Sequence, residues 1–227
     1  MWQAVLSRVE RAAAAVGRDP DTIRLVAVSK TFPPEAIRGA HALGQRAFGE
    51  NYVQEAIEKM SVLADLSDIE WHLIGPLQSN KAKIAARSFA WIHTVDRMKI
   101  AERLSAARDR DLPPLNVCIQ VNISGEPSKS GVGPGDALAL ARNVAALPRI
   151  RLRGFMGIAA PPGASTAGRN TVQRSQFHLL HDIFESARAE ALGLDTLSMG
   201  MSADLEQAIA EGATLVRVGT ALFGERR

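Results

Sequence analysis

Short apolar runs, several rich in valine and isoleucine, recur along the chain. Between them lie stretches whose apolar residues return every three or four positions. The runs predict strands over 23–29, 46–49, 70–75, 91–95, 115–123, 151–159, 196–199 and 215–219. The intervening stretches predict helices: "PEAIRGAHALG", "YVQEAIEKMSVL", "NKAKIAARS", "MKIAERLSAARD", "DALALARNVAAL", "VQRSQFHLLHDIFESARAE" and "ADLEQAIAEGA". Apolar strands alternating with helices signal parallel sheet, because each crossover needs a helix and both sheet faces become covered. Eight strands at this length predict a closed α/β fold, a single (β/α)8 TIM-type barrel. The sequence stops just past strand eight, so no eighth following helix is expected, and a leading helix over 2–16 is predicted to cover that gap. No linker, repeat or low-complexity tract divides the chain, so residues 1–227 are read as one domain. The longest loop expected is "APPGASTAGRN", 160–170, after strand six.

Composition narrows the setting. The 227 residues are 46% hydrophobic, with charges spread throughout, enough for one substantial core. The single cysteine, Cys118, sits in the apolar run "LNVCIQVNI" and reads as a buried thiol, so no disulfide within the chain is possible. The first residues lack the basic start and unbroken apolar core of a signal peptide, and no later run approaches the ~18 apolar residues of a membrane span. A cytoplasmic protein without membrane association is expected. The net charge of +3 is small and basic residues alternate with acidic ones, which argues against nucleic-acid binding.

In such barrels the chemistry gathers at the carboxyl ends of the strands. Strand one, "LVAVSK", ends on Lys30. A lysine there is either a snorkelling surface residue or, in a partly desolvated mouth, an amine able to condense with a carbonyl. After strand seven, "SMGMSADLE" places Ser202 to cap a helix beginning near Ala203, while Gly219 and Thr220 end strand eight. These are either an ordinary cap and a tight strand end, or the two sides of a phosphate site. Arg217, inside "LVRVG", shares the inward face with Leu215 and Gly219, and a guanidinium so placed needs a partner: a structural carboxylate, or an acceptor on a bound cofactor. An imine-forming lysine, a phosphate site and a buried arginine together describe a place for pyridoxal 5'-phosphate.

The strings "LVAVSKTFP", "FGENYVQEA", "WHLIGPLQSNKAK", "VNISGEPSKSGV" and "LSMGMSADLEQAIAEGATLVRVGTALFG", in this order over about residues 20–224, closely resemble the YggS/PROSC family of pyridoxal phosphate homeostasis proteins. That family looks like the barrel domain of alanine racemase standing alone. The resemblance implies that Lys30 carries pyridoxal 5'-phosphate as an aldimine, that Asn51 and Met156 line its ring, and that Arg217 approaches the pyridine nitrogen. It also implies phosphate contacts from Ser198, Ser202, Gly219 and Thr220. The stretch "PPGASTAG" departs from the family pattern by its length, so the lid over the mouth is expected to differ.

An arginine beside the pyridine nitrogen keeps it unprotonated and weakens the ring as an electron sink. Racemisation would further need an acid/base on the opposite cofactor face. The only tyrosine, Tyr52, reads as a helix-start residue packing on its neighbours. The expectation is therefore a carrier and regulator of vitamin B6 without catalytic residues, monomeric, with transient contacts to apoenzymes that use the cofactor. A free-standing racemase or lyase of low activity is the rival. His72 and His93 read as core or supporting groups. His178 and His181 share a helical face without the partners a metal needs, so no metal is expected. Lys81 and Lys83 read as solvated. Lys129, in the loop "SGEPSKSG", is either a mobile surface lysine or a second ammonium over the mouth.

Overall fold

The computed structural model describes residues 1–160 and 166–224, with the side chains of 166–170 left aside. Eight parallel strands close on themselves in chain order. They are β1 (Arg24–Val28), β2 (Ala47–Glu50), β3 (Glu70–Leu73), β4 (Trp91–Val95), β5 (Leu115–Val121), β6 (Ile150–Gly157), β7 (Thr196–Ser198) and β8 (Leu215–Val218). Closure comes from β1 pairing with both β2 and β8, in a register that sets Arg24 opposite Leu215 and Ala27 opposite Val218. The helices are α1 (Trp2–Ala15), α2 (Pro34–Ala42), α3 (Val53–Val62), α4 (Ala82–Ser88), α5 (Met98–Ala107), α6 (Pro134–Ala145), α7 (Thr166–Ala189), α8 (Leu205–Ala210) and α9 (Thr220–Phe223). α2 and α6 open on prolines, whose fixed φ suits the first turn and whose missing N–H has no helical partner to lose there.

Alternation along each strand divides the core. Outward residues such as Phe48, Leu73, Ile92, Ile119 and Phe155 pack against helix residues such as Ile37, Ile100, Leu104 and Phe177, all fully buried. Burying each such side chain contributes about 1.5–3 kcal/mol. Inward residues fill the barrel in layers: Val26, Ala47 and Leu215 form one, and Trp91, Cys118 and Met156 another. Burial pushes the Cys118 thiol up to about 12, so it is an inert core group at neutral pH.

Helix appears in two stretches that were not expected to carry it. A one-turn helix, α9, follows β8, where none was expected. α7 begins at Thr166, so the segment read as a loop over 160–170 is helical from that point, while positions 161–165 lie outside the described residues. The leading helix α1 buries Val5, Val9, Ala12 and Ala13 and packs on α8 and α9, the place assigned to it. Arg8 fastens it there through Glu206 (2.7 Å) and the Ser202 carbonyl (3.0 Å). Among the described residues no helix is long and apolar enough to cross a membrane.

Candidate functional site

At the carboxyl ends of the strands lies a cavity of about 270 Å³. Lys30, Asn51, Ser202, Arg217, Gly219 and Thr220 all line it, together with Ile74 and Ile158. Six of the eight residues expected at a cofactor site therefore share one wall system, drawn from β1, β2 and the turns around β7 and β8.

Lys30 follows the last residues of β1, and the backbone on both sides of it is fastened. Before it, the Ser29 carbonyl accepts from Lys59 Nζ at 2.8 Å and the Ser29 hydroxyl donates to Glu50 Oε1 at 2.6 Å. After it, the Thr31 amide donates to Glu55 Oε1 at 2.6 Å. Thr31 has φ 67°, a left-handed conformation costing a β-branched residue about 1–3 kcal/mol, and this bond helps hold it. Lys59 also donates to Glu50 (2.8 Å) and Glu55 (2.6 Å), which makes a buried network of one cation and two carboxylates. Sequence reasoning did not find this network. Its signals were a carboxylate ending an apolar strand at Glu50 and a lysine on the buried side of α3.

The next strand end is shaped by close backbone contact. A Cβ on Gly75 would sit 2.2 Å from the Asn51 carbonyl oxygen, so glycine is what allows the turn after β3 to press Asn51 into the cavity.

On the far wall the expected helix cap is corrected. Ser202 to Asp204 form a turn, α8 starts at Leu205, and its cap position is Asp204, whose carboxylate accepts from the Met201 amide at 2.5 Å. That bond reaches back to the preceding turn and not to the first amides of α8, so Asp204 holds the cap position without a side-chain cap. Ser202 faces the cavity with Ala203. Gly219 and Thr220 enter it at the start of α9. A Cβ on Gly219 would meet the Val28 carbonyl at 3.1 Å, so these turns approach β1 closely. α8 and α9 are too short to supply much dipole; what the turns bring is a set of backbone amides.

Arg217 is 4% exposed and reaches the cavity wall. No carboxylate contacts it among the described residues. Nη1 donates to the carbonyl and hydroxyl of Ser198, each at 2.7 Å, and Nη2 donates to the Gly157 carbonyl at 3.0 Å. Burial lowers it to about 10, opposed by the charge of Asp204, so it stays cationic at neutral pH.

Two expected site residues lie elsewhere. Ser198 is fully buried and spent on Arg217 and His93, so it does not border the cavity. Met156 is fully buried with Trp91 and Cys118, one layer deeper, and Ile158, which packs on that layer, lines the cavity instead.

A second cavity, of about 230 Å³, adjoins the first through Asn51, Ile74 and Ile158. Lys129 lines it, donating to Glu126 (2.7 Å) and to the Ala159 carbonyl (3.3 Å). Tyr52 is 59% exposed, outside both. His178, contrary to expectation, has carboxylates nearby in Glu211 and Asp182, yet among the described residues no three such side chains gather as metal ligands.

The donor set suits a phosphorylated aldehyde: one amine, one guanidinium and the amides of two turns around a cavity near the ~300 Å³ lower end of small-molecule sites. Comparison with known proteins agrees. The family model for the alanine racemase N-terminal domain matches residues 2–227. The pyridoxal phosphate homeostasis protein of Pseudomonas aeruginosa is 56% identical over 222 residues, covering 98% of this chain and 93% of that protein. The structure of PipY from Synechococcus elongatus with PLP bound is 42% identical, with a TM-score of 0.80 over 96% of this chain and 100% of that one. Alanine racemase of Clostridium difficile shares the fold at 12% identity, with a TM-score of 0.71 over 97% of this chain and 56% of that one. A barrel of this architecture, with this cavity and these relatives, places the chain in the alanine racemase N-terminal-domain family, among its pyridoxal phosphate homeostasis proteins.

Proposed function

We propose that this protein binds pyridoxal 5'-phosphate in the cavity at the barrel mouth and buffers intracellular vitamin B6 and amino-acid homeostasis without catalytic turnover. The observation that carries the reading is the convergence of Lys30, Arg217 and the turns at 202–203 and 219–220 on one cavity. The Lys30 amine would hold the cofactor covalently at its aldehyde, with loss of water. Asn51 would line the ring, Arg217 would meet the ring nitrogen, and Ser202, Gly219 and Thr220 would take the phosphate. Ser198 and Met156 act one step removed, the first through Arg217 and the second through Ile158. The name of the Pseudomonas aeruginosa relative and the PLP-bound PipY structure support this assignment.

When bound, the cofactor supplies an electron sink, which a cation at the ring nitrogen weakens. The cavity's own residues argue further against turnover. Among the described lining residues only Lys30 and Arg217 are ionisable, so none of them supplies a second acid/base across from Lys30. The protein is then a cytoplasmic, monomeric, single-domain carrier over residues 1–227 that meets apoenzymes transiently.

Borohydride reduction of the cofactor-loaded protein, followed by peptide mass analysis, tests the binding reading. The label is expected on Lys30; recovery mainly on Lys129 would overturn it. Incubation with single L-amino acids in deuterated water tests the absence of turnover. Exchange at the α-carbon is expected near the rate given by free cofactor, and enzyme-like exchange would establish the racemase or lyase reading instead.

A further inference from the structure

His72 and His93 are fully buried inside the barrel and border neither cavity. They lie side by side, His72 Nδ1 2.8 Å from His93 Nε2. Beyond His93, its Nδ1 is 2.9 Å from Ser198 Oγ, and that oxygen is 2.7 Å from Arg217 Nη1. Beyond His72, its Nε2 is 2.7 Å from Glu70 Oε1, which pairs with Arg24 at 2.6 Å. Glu70 and Arg24 are the first residues of β3 and β1, at the barrel end opposite the cavity. A continuous polar chain thus runs from the cavity wall through the core to the far rim.

Its ends dictate its direction. A guanidinium can only donate and an ionised carboxylate can only accept. Ser198 Oγ takes the Arg217 N–H, and among the described residues the acceptor for its single hydrogen is His93 Nδ1. A neutral His93 then carries its proton on Nε2 and gives it to His72 Nδ1. His72, likewise, carries its proton on Nε2 and donates to Glu70. Each of the three groups between the ends has one hydrogen to pass, and every one passes toward Glu70. Burial lowers both imidazoles, His93 well below the usual range with help from the charge of Arg217, so both rings are neutral as the chain requires. Burial pushes the Glu70 carboxyl up, but the hydrogen bond from His72 and the charge of Arg24 outweigh it, so the net shift is downward and the acceptor end stays ionised. The ring of Trp91, stacked on His72 at 5.3 Å, covers the middle of the chain.

We propose that Glu70, through His72, His93 and Ser198, positions Arg217: the far-rim carboxylate sets the direction of four successive hydrogen bonds and thereby fixes where the cavity's guanidinium points. The arrangement answers a conflict of charge. A carboxylate beside Arg217 would hold the guanidinium but repel an anionic ligand, whereas one at the opposite rim orients it and leaves the cavity cationic. Asp204, a carboxylate whose charge reaches Arg217, accepts its hydrogen bond from the Met201 amide instead, and burial raises its pKa.

Nitrogen-15 NMR of the imidazoles in the ligand-free protein tests the direction without any assumption about the ligand. Both rings are expected to carry the proton on Nε2 and leave Nδ1 bare at neutral pH; a proton on either Nδ1 overturns the proposal. The second test rests on the cofactor reading above and uses pyridoxal 5'-phosphate as the probe. Glu70→Gln keeps the shape but can donate as well as accept. It is expected to give mixed tautomers at both histidines and to weaken cofactor binding about threefold, with unchanged circular dichroism. Ser198→Ala removes the link itself and is expected to weaken binding roughly tenfold, while Ser198→Thr, which keeps the hydroxyl, restores it. Mixed tautomers in Glu70→Gln with parental affinity would overturn the positioning role. If the parent fails to bind the cofactor, the functional reading falls, and the tautomers of the ligand-free protein alone then decide the direction of the chain.

Discussion

Lys59 Nζ donates to the carbonyl of Ser29 at 2.8 Å, so the residue before the cavity lysine is held by a buried ammonium whose other partners, Glu50 and Glu55, are carboxylates. Replacing Lys59 by methionine keeps the length of the side chain and strands both acids. Stability is expected to fall by about 3–5 kcal/mol, the usual loss when one partner of a buried pair is removed. Capture of pyridoxal 5'-phosphate should slow as well, because Ser29 loses its tether. Urea unfolding and absorbance stopped-flow check the two parts, and a parental capture rate would show that Lys30 is held without Lys59.

The same network has a pH signature. Burial pushes the Glu50 carboxyl above 4.5, an effect that hydrogen bonds from Lys59 and Ser29 only partly oppose. Its Oε2 has no hydrogen-bond partner among the described residues. Between the unfolded and folded pKa values the folded protein holds a proton that the unfolded chain has released. This contribution to stability is therefore full at low pH and is lost as pH rises through that window. The neutral isostere Glu50→Gln should remove this slope, so its stability relative to the parent is expected to rise with pH from 4.5 upward. Urea titrations across a pH series measure it, and parallel curves would show that Glu50 ionises in the folded protein as it does in the unfolded chain.

Gly75 tests whether Asn51 must stand where it does. An added Cβ meets the Asn51 carbonyl carbon at 2.8 Å and its oxygen at 2.2 Å, both backbone atoms that cannot rotate away. Gly75→Ala is expected to shift Asn51, cost about 1–3 kcal/mol as an overpacked site does, and weaken cofactor binding. Calorimetry and cofactor titration check it. Unchanged binding would remove Asn51 from the ring contacts.

If the turns at 202–203 and 219–220 take a phosphate, pyridoxal 5'-phosphate should bind far more tightly than pyridoxal. Each charge-assisted hydrogen bond lost costs roughly 1.5–3 kcal/mol, so two such bonds already separate the two compounds by more than a hundredfold. Thr220→Val should weaken only the phosphorylated form. Equal affinities for the two compounds, measured by fluorescence titration, would place the phosphate elsewhere.

The barrel was legible because its strands are covered on both sides and separated by helices, a pattern that survives errors at the edges. Those errors have a physical cause. The strands predicted to 75 and 159 end at Leu73 and Gly157, and the apolar residues beyond them, Ile74 and Ile158, line the cavity instead of continuing the sheet. Lys30 was legible as a polar residue closing an apolar run and Arg217 as a charge inside one, whereas Asn51 came only with the family resemblance. Depth along the barrel axis was not, since a period of two gives a face and not a layer. Met156 and Ser198 share the inward side yet sit below the cavity floor. α9 escaped notice because one turn of helix, "TALF", has no periodicity to read.

The pairing of β1 with β8 has a consequence for the order in which this site comes into being. Lys30 leaves the ribosome with the first strand, whereas Arg217 and Thr220 emerge only with the last. The contact that joins them spans nearly the whole sequence, the kind of closure that folds slowly and late. A nascent chain therefore carries an exposed lysine and no cavity. Under the proposed function, tight binding of the cofactor waits until translation has delivered β8 and the ring has shut, because only then do the two halves of the cavity face each other.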